Sequence, residues 1–156
     1  MWKCLNLHTI VMRPAARGHL TVFAISLALL GTRAHALPLE AKLDCKSTPH
    51  DFIAPLQENH LLESKPMRIE PNSINAFRPV KGATLTAYGF KVYVLVAYQK
   101  DDPIFKQGKG EPIGDAAYGA VVWGGDEEVA QKVREAGSDA VVHHVAPFIT
   151  AIFCKP

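Results

Sequence analysis

The sequence predicts an α+β domain: a mostly antiparallel sheet with one or two helices packed on one face, and one disulfide linking the N- and C-terminal ends. Three observations carry that expectation. Strand-like and helix-like stretches follow one another in mixed order, which an antiparallel sheet covered by a few helices closes most simply. Two cysteines, Cys45 and Cys154, flank almost the whole of the part that remains once a leader is removed. No internal repeat, low-complexity tract or second long apolar run interrupts that part.

The leader comes first. Arg13 and Arg17 precede a short apolar stretch from Leu20 to Leu30, and Ala34-His35-Ala36 follows it. A positive segment, a short apolar core and a small-residue A-x-A site are the parts of a secretory signal peptide, and the core is too short for a stable membrane span. The expected organisation is therefore a signal peptide over 1–36 and a single exported domain over 37–156, with no stable membrane insertion after cleavage. Met12 offers an alternative start that would leave a leader of more ordinary length.

Cleavage changes the charge. The whole chain carries a formal +2, and Lys3, Arg13, Arg17 and Arg33 leave with the leader while no acidic residue does, giving +2 − 4 = −2. Nucleic-acid recognition needs a basic surface that neutralises phosphates. A mildly acidic domain excludes that class of partner. Cys4 also leaves, so Cys45 and Cys154 remain as an even pair in an oxidising compartment. Pairing them closes nearly the entire domain into one loop.

Within the domain, "STPHDFIAPLQENHLLE" reads as a helix. Ser47 or Thr48 serves as N-cap, Pro49 suits the first turn, and Asp51 meets the positive end of the helix dipole. Phe52, Ile53, Leu56 and Leu61 supply a partial apolar stripe, which Pro55 either interrupts or confines to a second first turn. "KPMRIE" reads as a short strand and "PNSINAF" as a turn in which Asn72, Ser73 and Asn75 bond locally to the backbone. Ala83 to Gln99 is the strongest β signal, with a break or bulge at Gly89. Alternation puts Phe90, Val92, Val94 and Val96 on one face, and Lys91, Tyr93, Leu95 and Ala97 on the other. "AAYGAVVWG" is a further strand. "GDEEVAQKVREAG" is the clearest helix, acidic at its start, basic towards its end, with Val129, Ala130, Val133 and Ala136 as its buried stripe and Gly137 as its stop. "DAVVHHVAPFITAIFC" is strand material bent at Pro147. Val92, Val94, Val96, Val121 and Val141 are the expected sheet core.

Few residues suggest chemistry. His143 and His144 are adjacent on a strand, so they point to opposite faces and do not converge on one ion. No C-x-x-C or H-x-x-x-H spacing supports a zinc site. No G-x-S-x-G elbow occurs, and both cysteines are committed to each other. "GKGEPIGD" lacks the spacing of a phosphate loop. Binding is thus favoured over turnover, with neither cofactor nor metal expected.

The candidate binding feature is the long connection Lys100 to Asp115, which packs two Pro, three Gly and three Lys into sixteen residues. Connections of that length in a small domain are often functional. The nominated surface is Tyr98, Asp101, Asp102, Ile104, Phe105, Lys106, Lys109, Tyr118 and Trp123, with another protein as partner and Phe105 as either the apolar anchor or a plug for the core. Inhibitor and immunity domains share this size, compartment and single staple, an analogy of plan rather than of motif. The alternative function is a small-molecule or metal-binding module with a pocket near His143 and His144. A hydrolase of unrecognised type stands third.

Overall fold

A computed structural model describes residues 36–155; the leader predicted over 1–36 lies outside them apart from Ala36. The described chain opens with β1 (Leu37–Pro38) and a 3-10 turn over Glu40–Lys42, then α1 (Pro49–Glu58), β2 (Arg68–Ile69) and β3 (Asn75–Phe77). It continues through β4 (Leu85–Ala87), β5 (Phe90–Gln99), β6 (Ala116–Trp123), α2 (Asp126–Glu135), β7 (Val141–Ala146) and β8 (Ile149–Cys154). The strands form one sheet with β1-β4-β5-β6-β8-β7 as its main path, and β3 adds to β5 with β2 beyond it. Every pairing is antiparallel except β1 on β4. Among the described residues no helix is long and apolar enough to cross a membrane.

Three of the four helix ends are closed by local chemistry, and the fourth, the start of α2, carries acidic residues at the positive end of its dipole. Thr48 caps α1 by accepting the Asp51 amide at 3.1 Å, and Pro49 occupies the first turn, where its missing N–H costs nothing. At the other end His60 adopts a positive φ, and the Leu61 and His60 amides bond back to the Leu56 and Gln57 carbonyls. Gly137 does the same for α2, where Ser138 and Gly137 return to Val133 and Arg134. Both are Schellman stops.

Two features of the strands depart from simple alternation. Ala83 to Gln99 breaks at Gly89, as its sequence indicates, into two strands. Tyr88 and Gly89 both take positive φ and make a two-residue turn with Ala87 opposite Phe90, so the segment is the β4–β5 hairpin. The strict alternation along β5 also fails, because a bulge falls between Val92 and Val94. Opposed residues share a face. Val92, opposite Val122, therefore joins Leu95 and Ala97, while Val94 and Val96 join Val121 on the reverse side. The bend at Pro147 is likewise a full hairpin, β7 to β8.

The sheet's first face carries Phe77, Leu95, Ala97, Tyr118, Ala120, Val122 and Ile152, all buried. The ring of Phe52 on α1 lies 4.9 Å from that of Tyr118, and α2 seats Val129 and Val133 over β7 and β8. Both helices therefore cover the same face. The Cys45–Cys154 disulfide joins the segment before α1 to the end of β8 across 109 residues. Chain-entropy arguments assign a loop of that size about 4–5 kcal/mol. Such a bond belongs to a non-cytoplasmic environment.

Candidate functional site

The Lys100–Asp115 connection is closed at its base by the Lys100 amide on the Asp115 carbonyl, 2.8 Å. It does not stand free. The Asn75 side chain, fully buried on β3, accepts the Lys106 amide at 2.9 Å and donates to the Lys106 carbonyl at 2.7 Å. The buried Ser73 hydroxyl accepts the Gly108 amide, while Pro71 and Asn72 carbonyls accept Gly110 and Ile113. The approach is close enough that a Cβ on Gly108 would sit 2.2 Å from the Glu70 carbonyl oxygen. Asn75, read from sequence as a local turn former, is the clamp that straps this loop down.

The strap turns the loop's apolar residues inward. Phe105 is buried with its ring edge-on to Phe77 at 6.2 Å, and Ile104 is half-buried against the core. Tyr98 and Tyr118 are buried as well. Of the nominated surface, Asp101, Lys106, Lys109 and Trp123 are exposed, and Asp102 holds a structural position. Its carboxylate accepts the Ile104 amide at 2.9 Å and pairs with His50 Nδ1 at 2.6 Å, while Gln99 accepts the His50 amide. That arrangement ties α1 to the loop. Between the two limbs lies a hollow of about 460 Å³, bordered by Tyr98 and Phe105 and edged by Lys100, Asp101, Asp102, Glu111 and Asp115.

The Tyr118 hydroxyl is buried without a well-formed hydrogen bond among the described residues. Its pKa is pushed up by that burial, a rise that neighbouring Ser47 partly offsets. Burial also raises Tyr88, whose hydroxyl donates to the Leu43 carbonyl at 2.8 Å.

At the far end of the sheet the pattern inverts. In the β7–β8 hairpin, apolar in sequence, β7 and the turn are open to solvent while β8 buries every second residue. Val141 is 50% exposed, contrary to its expected place in the core, Val145 is 53% exposed and Phe148 is 77% exposed. Each falls on an edge strand of the sheet or its turn, which no further strand of the described residues covers. Trp123 at the end of β6 is opposite Ile149, stacks edge-on with Tyr93 at 5.6 Å, and is 48% exposed. The Gly124 amide donates to the Phe148 carbonyl, bringing the hairpin turn beside the tryptophan. Tyr93 and Phe148 were missed by the sequence reading. The bulge that turns Tyr93 outwards and the hairpin that lifts Phe148 into solvent are register features, which alternation alone does not reveal.

The histidines take separate places, as their adjacency requires. His143 is exposed and opposite Ala151. His144 is opposite Thr150, and its Nδ1 lies 2.6 Å from the Asp126 carboxylate. The other oxygen of Asp126 accepts the Thr150 hydroxyl at 2.5 Å. These contacts, Thr150 before His144, hold the Asp126 carboxyl below its usual range. No cluster of three or more His, Cys, Asp or Glu able to hold a metal occurs among the described residues. With the geometry in place, comparison with known protein families, curated proteins and solved structures finds no match to this chain.

Proposed function

We propose that the mature chain is a periplasmic or secreted binding domain, released by cleavage after Ala36, whose partner is another protein. One observation carries the reading: Tyr93 and Trp123 stack at one end of the sheet, the turn that carries Phe148 is hydrogen-bonded beside them, and all three expose large apolar areas to solvent. Tryptophan and tyrosine lose little side-chain entropy when immobilised and bury much surface, which makes them the usual anchors of protein interfaces. The interface thus shifts from the loop, whose Phe105 is committed to the core, to the aromatic end of the β5–β6–β8 sheet. Trp123 is the one residue of the sequence-based nomination that lies in it.

A photo-crosslinking residue at position 123 should give a defined adduct with a second protein in the envelope, and the same probe at exposed Lys46 should not. Equal labelling from both positions, or none from position 123, would overturn the proposal.

A second reading rests on the hollow beside the loop. Four carboxylates and one lysine around a floor of Tyr98 and Phe105 suit a small cationic group. Spermidine titrated against the protein should then shift amide signals of Asp101, Glu111 and Asp115 at saturable concentration. Shifts that disappear at physiological salt would reduce it to unspecific attraction.

A further inference from the structure

β7 is the last strand of the sheet, paired to β8 on one side and to nothing described on the other. Exposed edges are ordinarily protected by lysine, proline or inward charge. "VVHHVA" has none of these, and its one irregularity, the bulge at Val145, lies at the hairpin end, leaving Val141–His144 regular. We propose that this edge pairs with the β7 edge of a second copy, making a two-fold dimer with one continuous sheet. This surface is distinct from the aromatic end.

The geometry and the charges agree on that occupant. Antiparallel partners must lie on the same sheet face, so the two-fold passes through a residue rather than between two. Through His143, it sets the two His143 rings opposite each other and Val142 opposite His144 of the second copy. No charged residue of either edge strand meets another. Helix α2 packs over both β7 and β8 on the helix-covered face. Strands are about 4.8 Å apart, so helices seated over the two β7–β8 seams would lie roughly 10 Å apart, the usual distance for packed helices.

Those helices run antiparallel across the axis. α2 begins with Asp126, Glu127 and Glu128 and ends with Lys132 and Arg134. Glu127 and Arg134 border one shallow hollow together with Val142, so both sit on the side of α2 that leans over β7. The acidic end of one helix therefore meets the basic end of the other. An isologous interface requires this kind of self-complementarity. A basic or acidic partner of another type would satisfy only one end.

Oxidised protein expressed with its leader and purified from the envelope should sediment as a dimer at pH 7.5. His143→Lys places two ammonium groups face to face and should give monomer, with the melting midpoint of wild type diluted to its own monomeric state, since position 143 is exposed. Arg134→Glu should weaken the dimer at least tenfold. The swap Glu127→Arg with Arg134→Glu should restore it, a rescue that damage to the fold would not produce. Wild type that sediments as monomer at every soluble concentration overturns the proposal and leaves the edge to a strand of another protein. A dimer indifferent to all three variants also overturns it, by placing the interface elsewhere.

Discussion

The strapped loop and the β7–β8 hairpin look in sequence like the opposite of what they are. The loop is rich in Lys, Asp, Gly and Pro, yet Phe105 is buried within it. The hairpin is almost wholly apolar, yet Val141, Val145 and Phe148 face solvent. The difference lies in what each segment is packed against. The loop folds back over β3, where Asn75 and Ser73 satisfy its backbone and Phe77 receives its ring. The hairpin's outer strand, β7, and its turn lie at the margin of the sheet, where Val141, Val145 and Phe148 have no neighbour among the described residues on one side. Thr150, Ile152 and Cys154 of β8 are buried. Local polarity reports a segment's average environment. The position of its neighbours decides the individual residue.

The sharpest way to break this comparison is to truncate one aromatic from each region. Phe105→Ala should destabilise the fold by about 3–5 kcal/mol, the usual cost of a buried phenylalanine. Phe148→Ala should move stability by less than about 0.5 kcal/mol, as exposed positions do. Urea midpoints of the two variants decide it, and equal losses would mean that the two regions are not inverted.

Next in size is the staple, which anchors the last strand of the hairpin to the segment before α1. Cys45→Ser should cost about 2–5 kcal/mol. Reductant should lower the wild-type midpoint to match and leave the variant unmoved.

The strap itself comes third. Asn75→Ala removes two part-buried hydrogen bonds to the Lys106 backbone, each worth about 0.5–1.5 kcal/mol net. Hydrogen exchange should accelerate first at Lys106 and Gly108, with protection retained across β6. Uniform acceleration through the sheet would instead make Asn75 an ordinary core residue.

The smallest expected effect belongs to Asp126 beside the hairpin. Its folded pKa lies below the ordinary value of 3.8. The unfolded chain therefore binds a proton more readily than the folded one as pH falls. The stabilisation is present above the unfolded pKa and is lost as pH drops through the folded value. Asp126→Asn should flatten that last acid limb of the stability curve and lower neutral stability by the same small amount, so that wild type and variant converge at acid pH. An acid limb identical to that of wild type would show that Thr150 and His144 do not act on it.

Much of the architecture was legible in the sequence because it rests on interactions between near neighbours. Thr48 and Pro49 start α1 and Gly137 ends α2 by satisfying or sparing backbone groups within a turn, while the run Asp126–Glu128 favours the start of α2 through its charge at the positive end of the helix dipole. The pairing of Cys45 with Cys154 followed from there being two cysteines left in an oxidising setting. The candidate surface was far less legible. Trp123 was nominated, but Tyr93 depends on a bulge one residue long, and Phe148 on a turn that only the pairing of β7 with β8 defines. Asn75 reaches Lys106 across thirty-one residues, a partnership without periodicity. What the sequence determined by itself was the type of the longer elements, the start of each helix, the stop of α2 at Gly137 and the covalent staple, since propensity, capping and cysteine count act locally or by elimination. It did not show that α1 stops before Leu61, that Ala136 is exposed, or that Asn75–Phe77 is a strand. Which aromatic is core and which is surface was decided by the tertiary structure alone, because burial is a property of what the rest of the chain brings alongside.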